Sequence, residues 1–585
     1  MPGHAFLIRT MLSLALLAPV AAAAQQASDT IAPEAATGMQ ARPAAHATRH
    51  MVAAANPLAA EAGLEVLRKG GSAADALVAV QTVLGLVEPQ SSGMGGGAFL
   101  VWYDAATGEM TTIDGRETAP AAATPDLFLD ADGEPLGFFE AVVGGRSVGV
   151  PGVPRLLETA HRRWGRLDWA ALFDPAIKLA SEGFEVSPRL AALVAADADK
   201  LGAQPTTAGY FFPGGKPLAA GDRLSNPTYA ETLRAIAEGG ADAFHAGPIA
   251  EAIVVAVTGH ETNPGAMTLD DLAGYEAKER PAACIDYRGH EVCGMGPPSS
   301  GAITVGQILG MVEGFDLSTL GPDDPESWRI FGEATRLAFA DRGRYLADPD
   351  FVRVPEGMLD RGYLESRAAL IRRPTAMGPD EVKAGEPPWE KAELRIDGTS
   401  LEQPATSHMV IVDDAGNVAS MTSSVENAFG ARLMAAGMLL NNQLTDFSFA
   451  PKQDGDAIAN RVEPGKRPRS SMSPTIILQD GKPVHALGSP GGATIIPYVA
   501  KTIVALIDWR MDMQRAISLP HLANPFGRYM LEAGTSADDL ADDLAAFGYE
   551  VRAGELNSGL HGVTIGPGGL TGGADPRREG VALGD

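Results

Sequence analysis

The chain is short of positive charge and of cysteine. Its 73 acidic residues face 46 lysines and arginines, a formal net charge of -27 at pH 7. That balance excludes nucleic acid and anionic membrane surfaces as partners, since both are bound by clustered cations. Long apolar runs are missing beyond the N-terminus, so no later segment reads as a membrane span. The only two cysteines, Cys284 and Cys293 in "ACIDYRGHEVCG", are wrongly spaced for a zinc knuckle. His46 and His50 have helical spacing but lack the glutamate of an HExxH pattern. No metal and no cofactor are expected. With 585 residues, 45% of them apolar, there is ample material for a large core or for more than one domain.

What is present begins at the N-terminus. His4 and Arg9 precede the apolar run "MLSLALLAPVAAAA" (Met11 to Ala24), which ends in small residues before Gln25. This is the pattern of a secretory signal peptide over residues 1–24, with Ala22 and Ala24 suiting an A-x-A cleavage site. No cysteine follows to carry a lipid. The expectation is export to the periplasm or outside the cell, with no membrane anchor after signal removal. Export bears on the cysteines. If Arg288–Gly289 form a two-residue hairpin turn, Tyr287 faces His290 and Cys284 lies opposite Cys293. That is a non-hydrogen-bonded pair, where side chains come closest. An exported protein can oxidise such a pair to a disulfide; the alternative is two unreactive buried thiols.

Residues 25–45 are rich in Ala, Pro and Thr and read as a flexible segment. From Pro57, "PLAAEAGLEVLRKGGSAADALVAVQTVLGLVE" reads as two helices broken at Gly70–Gly71. The loop "SSGMGGGAF" then leads into the strand "FLVWYD" and a partner, "EMTTIDGRE". The middle of the chain is largely helical, with the cysteine hairpin inserted. Residues 370 to 405 turn polar and Pro-rich and read as a flexible linker. A strand-rich block starts abruptly at Thr406.

Several motifs tempt. "GMGGGA" (Gly93 to Ala98), with Asp114 downstream, fits the loose dinucleotide fingerprint, but helix precedes and strand follows, the reverse of what pyrophosphate binding needs. "GRSVG" around Ser147 fits a nucleophile elbow, yet "VPGVP" follows where a helix must open. "GSPGGATII" (Gly488 to Ile496) is more useful. A glycine turn precedes a helix with Pro497 in its first turn, so the amides of Gly491 and Gly492 can face one anionic oxygen. A plain loop-to-helix connection is the alternative.

"SHMVIV" and "NVASMT" flank the turn "DDAGN" and should pair as a hairpin, which sets Thr406 opposite Ser423 or Ser424. A mid-chain threonine is a feeble nucleophile because nothing takes its proton. A threonine with a free α-amine carries its own base, since that amine titrates near neutrality. Self-cleavage at Ala405–Thr406 would create that residue; the plainer reading is a β-branched residue starting a strand.

Resemblance decides between them. "TSHMVIVDDAGNVASMTSSVENAFG", "LLNNQLTDFS", "GKRPRSSMSPT" and "GSPGG", with "NPLAAEAGLEVLRKGGSAADA", "EPQSSGMGGGAF", "TIDGRETAPA" and "SVGVPG" before them, occur in the order and at about the spacing of the γ-glutamyltranspeptidase family. The likeness runs over roughly residues 45 to 580. It implies an α+β fold, the four-layer αββα sandwich of N-terminal-nucleophile hydrolases. It also implies a proenzyme that cuts itself into a large subunit, 46–405, and a small subunit, 406–585, associated as a heterodimer. The family's nucleophile falls on Thr406 and its partner hydroxyl on Ser424. Arg116 with Ser470 and Ser471 would hold the α-carboxylate of a γ-glutamyl group, and Asp446 and Gln443 its α-ammonium. Glu426 would add a carboxylate there, and Gly491 and Gly492 resemble the family's oxyanion hole.

The activity so implied is cleavage of γ-glutamyl amides such as glutathione, with release to water or to an amino-acid or dipeptide acceptor. Rival readings are a glutaryl or cephalosporin-type acylase and a non-cleaving binding protein of the same fold. The stretch between Asp446 and Lys466 departs from the family's aromatic-tipped lid. Its only aromatics, Phe447 and Phe449, adjoin the aspartate.

Overall fold

The computed structural model of the chain describes residues 36, 38–389, 396–398, 402 and 405–585. Residues 1–24, read above as a signal peptide, lie outside the described residues. Strands Thr406–Val412 and Val418–Ser424 are buried at every position, as strands covered on both faces must be. The turn between them is fixed by Asp413, whose Oδ1 accepts from the amides of Ala415 and Asn417 at 3.0 Å each. Both belong to a seven-stranded antiparallel sheet ordered Val581–Gly584, Met51–Ala54, Thr406–Val412, Val418–Ser424, Gly97–Tyr103, Met110–Gly115, Lys278–Arg280. A second seven-stranded antiparallel sheet runs Ala45–Ala47, Gly569–Ala574, His561–Gly566, Lys482–Gly488, Thr475–Gln479, His290–Met295, Ala282–Tyr287.

Side-chain alternation separates the layers. Met409 and Ile411 join a core built with helices Pro57–Arg68 and Ala73–Val87. Val410 and Val412 face the other way, into a core shared with Ile476 and Leu487 of the second sheet. Helices Gly301–Val312, Pro325–Tyr345 and Ile495–Ile507 pack into that core, which gives the order helix, sheet, sheet, helix. The two N-terminal helices start where their caps dictate. Asn56 accepts from Leu58 N with Pro57 in the first turn, and Ser72 and Asp75 form a capping box after the Gly70–Gly71 break.

The structure corrects the two flexible segments in their described parts. Gln40 N donates to Pro576 O at 2.9 Å and Arg42 Nη2 to Arg578 O at 2.9 Å, so the end of segment 25–45 is bound to the C-terminal region. Of the polar stretch 370–405, residues up to 389 are held by hydrogen bonds. Arg336 donates to Met377 O, Arg367 to Lys383 O and Tyr345 to Gly385 O. Backbone carbonyls supply what the side chains lack, and composition does not reveal them. Cys284 and Cys293 face each other across the hairpin and are joined by a disulfide, with Arg288 and Gly289 both at positive φ in the turn. Among the described residues no helix is long and apolar enough to cross a membrane.

Candidate active site

Thr406 opens its strand at the end of the first sheet and is paired with Ser424, not Ser423. Its Oγ1 donates to Ser424 Oγ at 3.1 Å, and Ser424 Oγ donates to the carbonyl oxygen of Ala405 at 2.9 Å. The Glu426 amide donates to Ser424 Oγ at 2.8 Å, and Arg578 Nη1 to Thr406 O at 3.0 Å. One serine hydroxyl therefore touches both the threonine oxygen and the carbonyl of the preceding peptide. A hydroxyl aimed at a carbonyl oxygen stabilises the charge that develops when that carbon is attacked. Close approach is set by the loop before Gly97–Tyr103. A Cβ on Gly96 would stand 2.1 Å from Ser424 O and one on Gly95 2.2 Å from Leu439 O. The glycines of "GMGGGA" thus serve packing behind the serine.

The other residues read from the sequence gather around this pair. Glu426, Gln443, Asp446, Ser470, Ser471 and Gly492 line one small pocket with Thr406 and Ser424. Gln443 Nε2 donates to Asp446 Oδ2 at 3.0 Å, and Asn442 Nδ2 donates to Glu426, which sits at φ +78°. Ser470 is anchored through its carbonyl, which accepts from the Ser300 amide and hydroxyl at 2.7 Å each. Gly491, at φ +140°, precedes the short turn Gly492–Thr494 at the N-terminus of helix Ile495–Ile507. Among the described residues, the bonds of Arg116 go to Asp446 and to the carbonyls of Pro468 and Arg469, rather than to the serine hydroxyls. Arg342 bonds Ser471 at 2.9 Å instead, and both contact the carboxylate of Glu402.

Burial sets the charge states. It pushes the Asp446 carboxyl up to about 6 against the pull of Arg116, and Glu117 up to about 8, again opposed by Arg116. Glu117 lies 3.8 Å from Arg116 and is protonated at neutrality, so Asp446 is the anion that takes the guanidinium. Burial also raises Glu402, but Arg342 and Arg469 outweigh it and hold the carboxyl below its ordinary value. Ser147, the elbow candidate, donates to Val142 O at 2.7 Å inside a helical turn. His50 pairs with Asp585 at 3.2 Å. Phe447 and Phe449 are buried, Phe449 stacked on Phe128, so neither tips a lid.

Comparison with known proteins gives the geometry a lineage. The family profile described as Gamma-glutamyltranspeptidase matches residues 59–585. The chain belongs to the γ-glutamyltranspeptidase family. It is 39% identical over 551 residues to a glutathione hydrolase proenzyme of Bacillus subtilis (strain 168), covering 91% of each chain. With a glutathione hydrolase proenzyme of Escherichia coli (strain K12) it shares 37% over 546 residues, again 91% of each. A crystal structure of cephalosporin acylase from Bacillus halodurans superposes with a TM-score of 0.80 at 26% identity, over 95% of this chain and 99% of that one. Membership accounts for the αββα sandwich.

Sequence reasoning missed Glu402, Arg342, Arg469, Glu117 and Arg578. Glu402 carried a signal, as an acidic residue four positions before Thr406. Arg469 adjoins Ser470 in sequence, whereas only the fold brings Arg342, in the last turn of helix Pro325–Tyr345, to Ser471, and Arg578 to the carbonyl of Thr406.

Proposed function

We propose that the chain is the exported proenzyme of a γ-glutamyl transferase and glutathione hydrolase. The observation that carries this reading is the Ser424 hydroxyl held between Thr406 Oγ1 and Ala405 O. In the uncut chain Thr406 Oγ attacks the Ala405 carbonyl carbon. The peptide nitrogen leaves with the hydroxyl proton, and water hydrolyses the resulting ester. The products are a large subunit, 46–405, and a small subunit, 406–585, whose first residue has a free α-amine. That amine then takes the Thr406 hydroxyl proton as Oγ attacks the γ-carbonyl of a donor such as glutathione. The amides of Gly491 and Gly492 receive the oxyanion, and the proton passes to the leaving amine. Water or the amine of an amino acid or dipeptide releases the γ-glutamyl group from the threonine.

Asp446, Glu426 and Gln443, which line the pocket, would hold the donor's α-ammonium, and Ser470 and Ser471, also in its lining, would hold the α-carboxylate with Arg116. A glutaryl group lacks the ammonium and is otherwise nearly isosteric. The acylase reading draws on the Bacillus halodurans structure, but a glutaryl donor forgoes the bonds that Glu426 and Gln443 would make to an ammonium, while Asp446 is already held by Arg116. A site built to bind a polar group rejects an analogue that lacks it, so γ-glutamyl anilides are expected to exceed glutaryl anilides in kcat/KM by about tenfold or more. Asp446→Asn narrows that gap by hurting the γ-glutamyl donor. Mass spectrometry should show a small subunit beginning Thr-Ser-His, and Thr406→Ala should remain one inactive chain. Wild type preferring glutaryl donors sinks the transferase reading in favour of the acylase; a Thr406→Ala chain that splits and turns over sinks the nucleophile.

A further inference from the structure

A chain of buried polar side chains that the reaction does not use runs behind the glycine turn. Lys501, on helix Ile495–Ile507, donates from Nζ to Leu519 O at 3.0 Å and to His521 Nδ1 at 3.1 Å. His521 Nε2 stands 2.7 Å from Ser558 Oγ, and that hydroxyl donates to Asp575, which also accepts from the Leu560 amide at 3.0 Å. Lys501, His521, Ser558 and Asp575 are all buried. These partners fix the tautomer. Nδ1 accepts, and Nε2 faces a hydroxyl whose proton is already given to a carboxylate, so the ring carries its proton on Nε2. Burial, with Arg577 and Lys501 adding to it, keeps the imidazole neutral. The backbone is held as well, since His521 N donates to Glu532 Oε2 at 2.9 Å. A ring bonded at both nitrogens cannot turn.

Two contacts lead from this ring to the turn. Tyr498, in the first turn of the helix, stacks on His521 with ring centroids 4.0 Å apart. The same tyrosine lies against Gly491, where an added Cβ would stand 3.0 Å from Tyr498 Cε2. Ser558 precedes Gly559, where an added Cβ would stand 2.6 Å from Pro490 Cγ. The peptide joining Pro490 to Gly491 carries the Gly491 N–H, so both of its residues are touched by groups tied to His521. Gly491 itself does little to fix that peptide, because a glycine at φ +140° has wide conformational freedom. Thr494 Oγ1 donates to Gly491 O at 2.6 Å, which pins the next peptide and not this one.

We infer that His521 is a positioning residue for the oxyanion amide: locked by Lys501 and Ser558, it holds Tyr498 and Gly559 against the Pro490–Gly491 peptide and so aims the Gly491 N–H. The inference rests on the functional reading above, in which the Gly491 and Gly492 amides receive the oxyanion. A donor aimed in advance acts where charge develops, so losing the aim lowers kcat and leaves ground-state binding alone.

The test compares processed variants on a γ-glutamyl anilide. Losing an oxyanion donor costs on the order of 10²–10³ in rate, and His521→Ala, which only frees one, should lower kcat about tenfold or more with KM changed less than about twofold. His521→Phe, which keeps a ring under Tyr498, should recover part of the loss. The γ-boronate analogue of L-glutamate becomes tetrahedral on Thr406 Oγ, so its affinity should fall in parallel with kcat while that of L-glutamate holds. A kcat within about twofold of wild type, or equal losses of boronate and L-glutamate affinity, overturns the role of His521. The functional reading fails separately, on the wild-type preference between γ-glutamyl and glutaryl donors. Should His521→Ala not process, Ser558→Ala decides, because it keeps the ring and releases only Nε2. It should lower kcat about threefold or more with the same split between boronate and L-glutamate, and an unchanged kcat overturns the inference.

Discussion

Ser424 shows how little separates a structural hydroxyl from a working one. Its oxygen accepts from Thr406 and from the Glu426 amide, and its proton goes to Ala405 O. Removing one such donor from a developing oxyanion costs on the order of 10²–10³ in rate. Ser424→Ala is therefore expected to slow self-cleavage by about that factor while the chain still folds, followed by gel analysis of the purified precursor over days; cleavage at the wild-type rate would show the contact to be idle. Asp446 adds a pH signature. Its carboxyl, raised by burial to about 6, must be ionised to hold an ammonium, so KM should climb as pH falls through that region. The Thr406 amine must be neutral, which places a second limb in kcat near about 7.7–8.0, the usual range of an α-amine. In Asp446→Asn only the second limb should survive; persistence of both would assign the first to another group. The hydroxyl pair was legible in the sequence because strand register is local. The grip of Arg116 on Asp446 was not, since it joins residues 330 positions apart and depends on which carboxyl burial leaves ionised.

At the scale of elements, the hairpin Ala282–Tyr287 and His290–Met295 is the clearest success of pattern reading. A two-residue turn fixes register, and register fixes which side chains meet. Its disulfide closes a loop of sequence separation 9 on the edge strand of the second sheet. On the chain-entropy estimate so short a loop stabilises by about 2–3 kcal/mol at most. Replacing both cysteines by alanine should lower the unfolding free energy, read from denaturant titration, by no more than that and leave kcat/KM unchanged, because no residue of the hairpin lines the pocket of Thr406. Thiol titration of the denatured wild type should find no free thiol until a reductant is added. The service of the glycine loop, clearance for the backbone at Ser424 and Leu439, was not legible in its sequence, because it requires knowing what lies across from it. The Pro-rich stretch failed as a linker for the same reason. Its tethers come from arginines and tyrosines of distant helices, which composition within the stretch cannot report.

For the whole molecule, the αββα architecture was legible through resemblance, whereas the interleaving of the two prospective subunits emerges only from strand order. In the first sheet Thr406–Val412 and Val418–Ser424 lie between Met51–Ala54 and Gly97–Tyr103, and Val581–Gly584 caps the far side of Met51–Ala54. In the second, strands of the small subunit separate Ala45–Ala47 from His290–Met295. Neither piece owns a complete sheet, so separating them exposes strand edges and both cores at once. The cut protein should copurify as one particle through size exclusion and part only in denaturant; free subunits under native conditions would contradict the shared sheets. The contact of Arg578 with Thr406 O, itself backed by Arg42, has a consequence in time. The nucleophile's own carbonyl is held by a residue 172 positions further along the chain, and the neighbouring strand Met51–Ala54 waits for Val581–Gly584. Thr406 therefore has its carbonyl clamped only after the stretch that carries Arg578 has folded against it, so a chain cut off before residue 578 is expected to lack that contact.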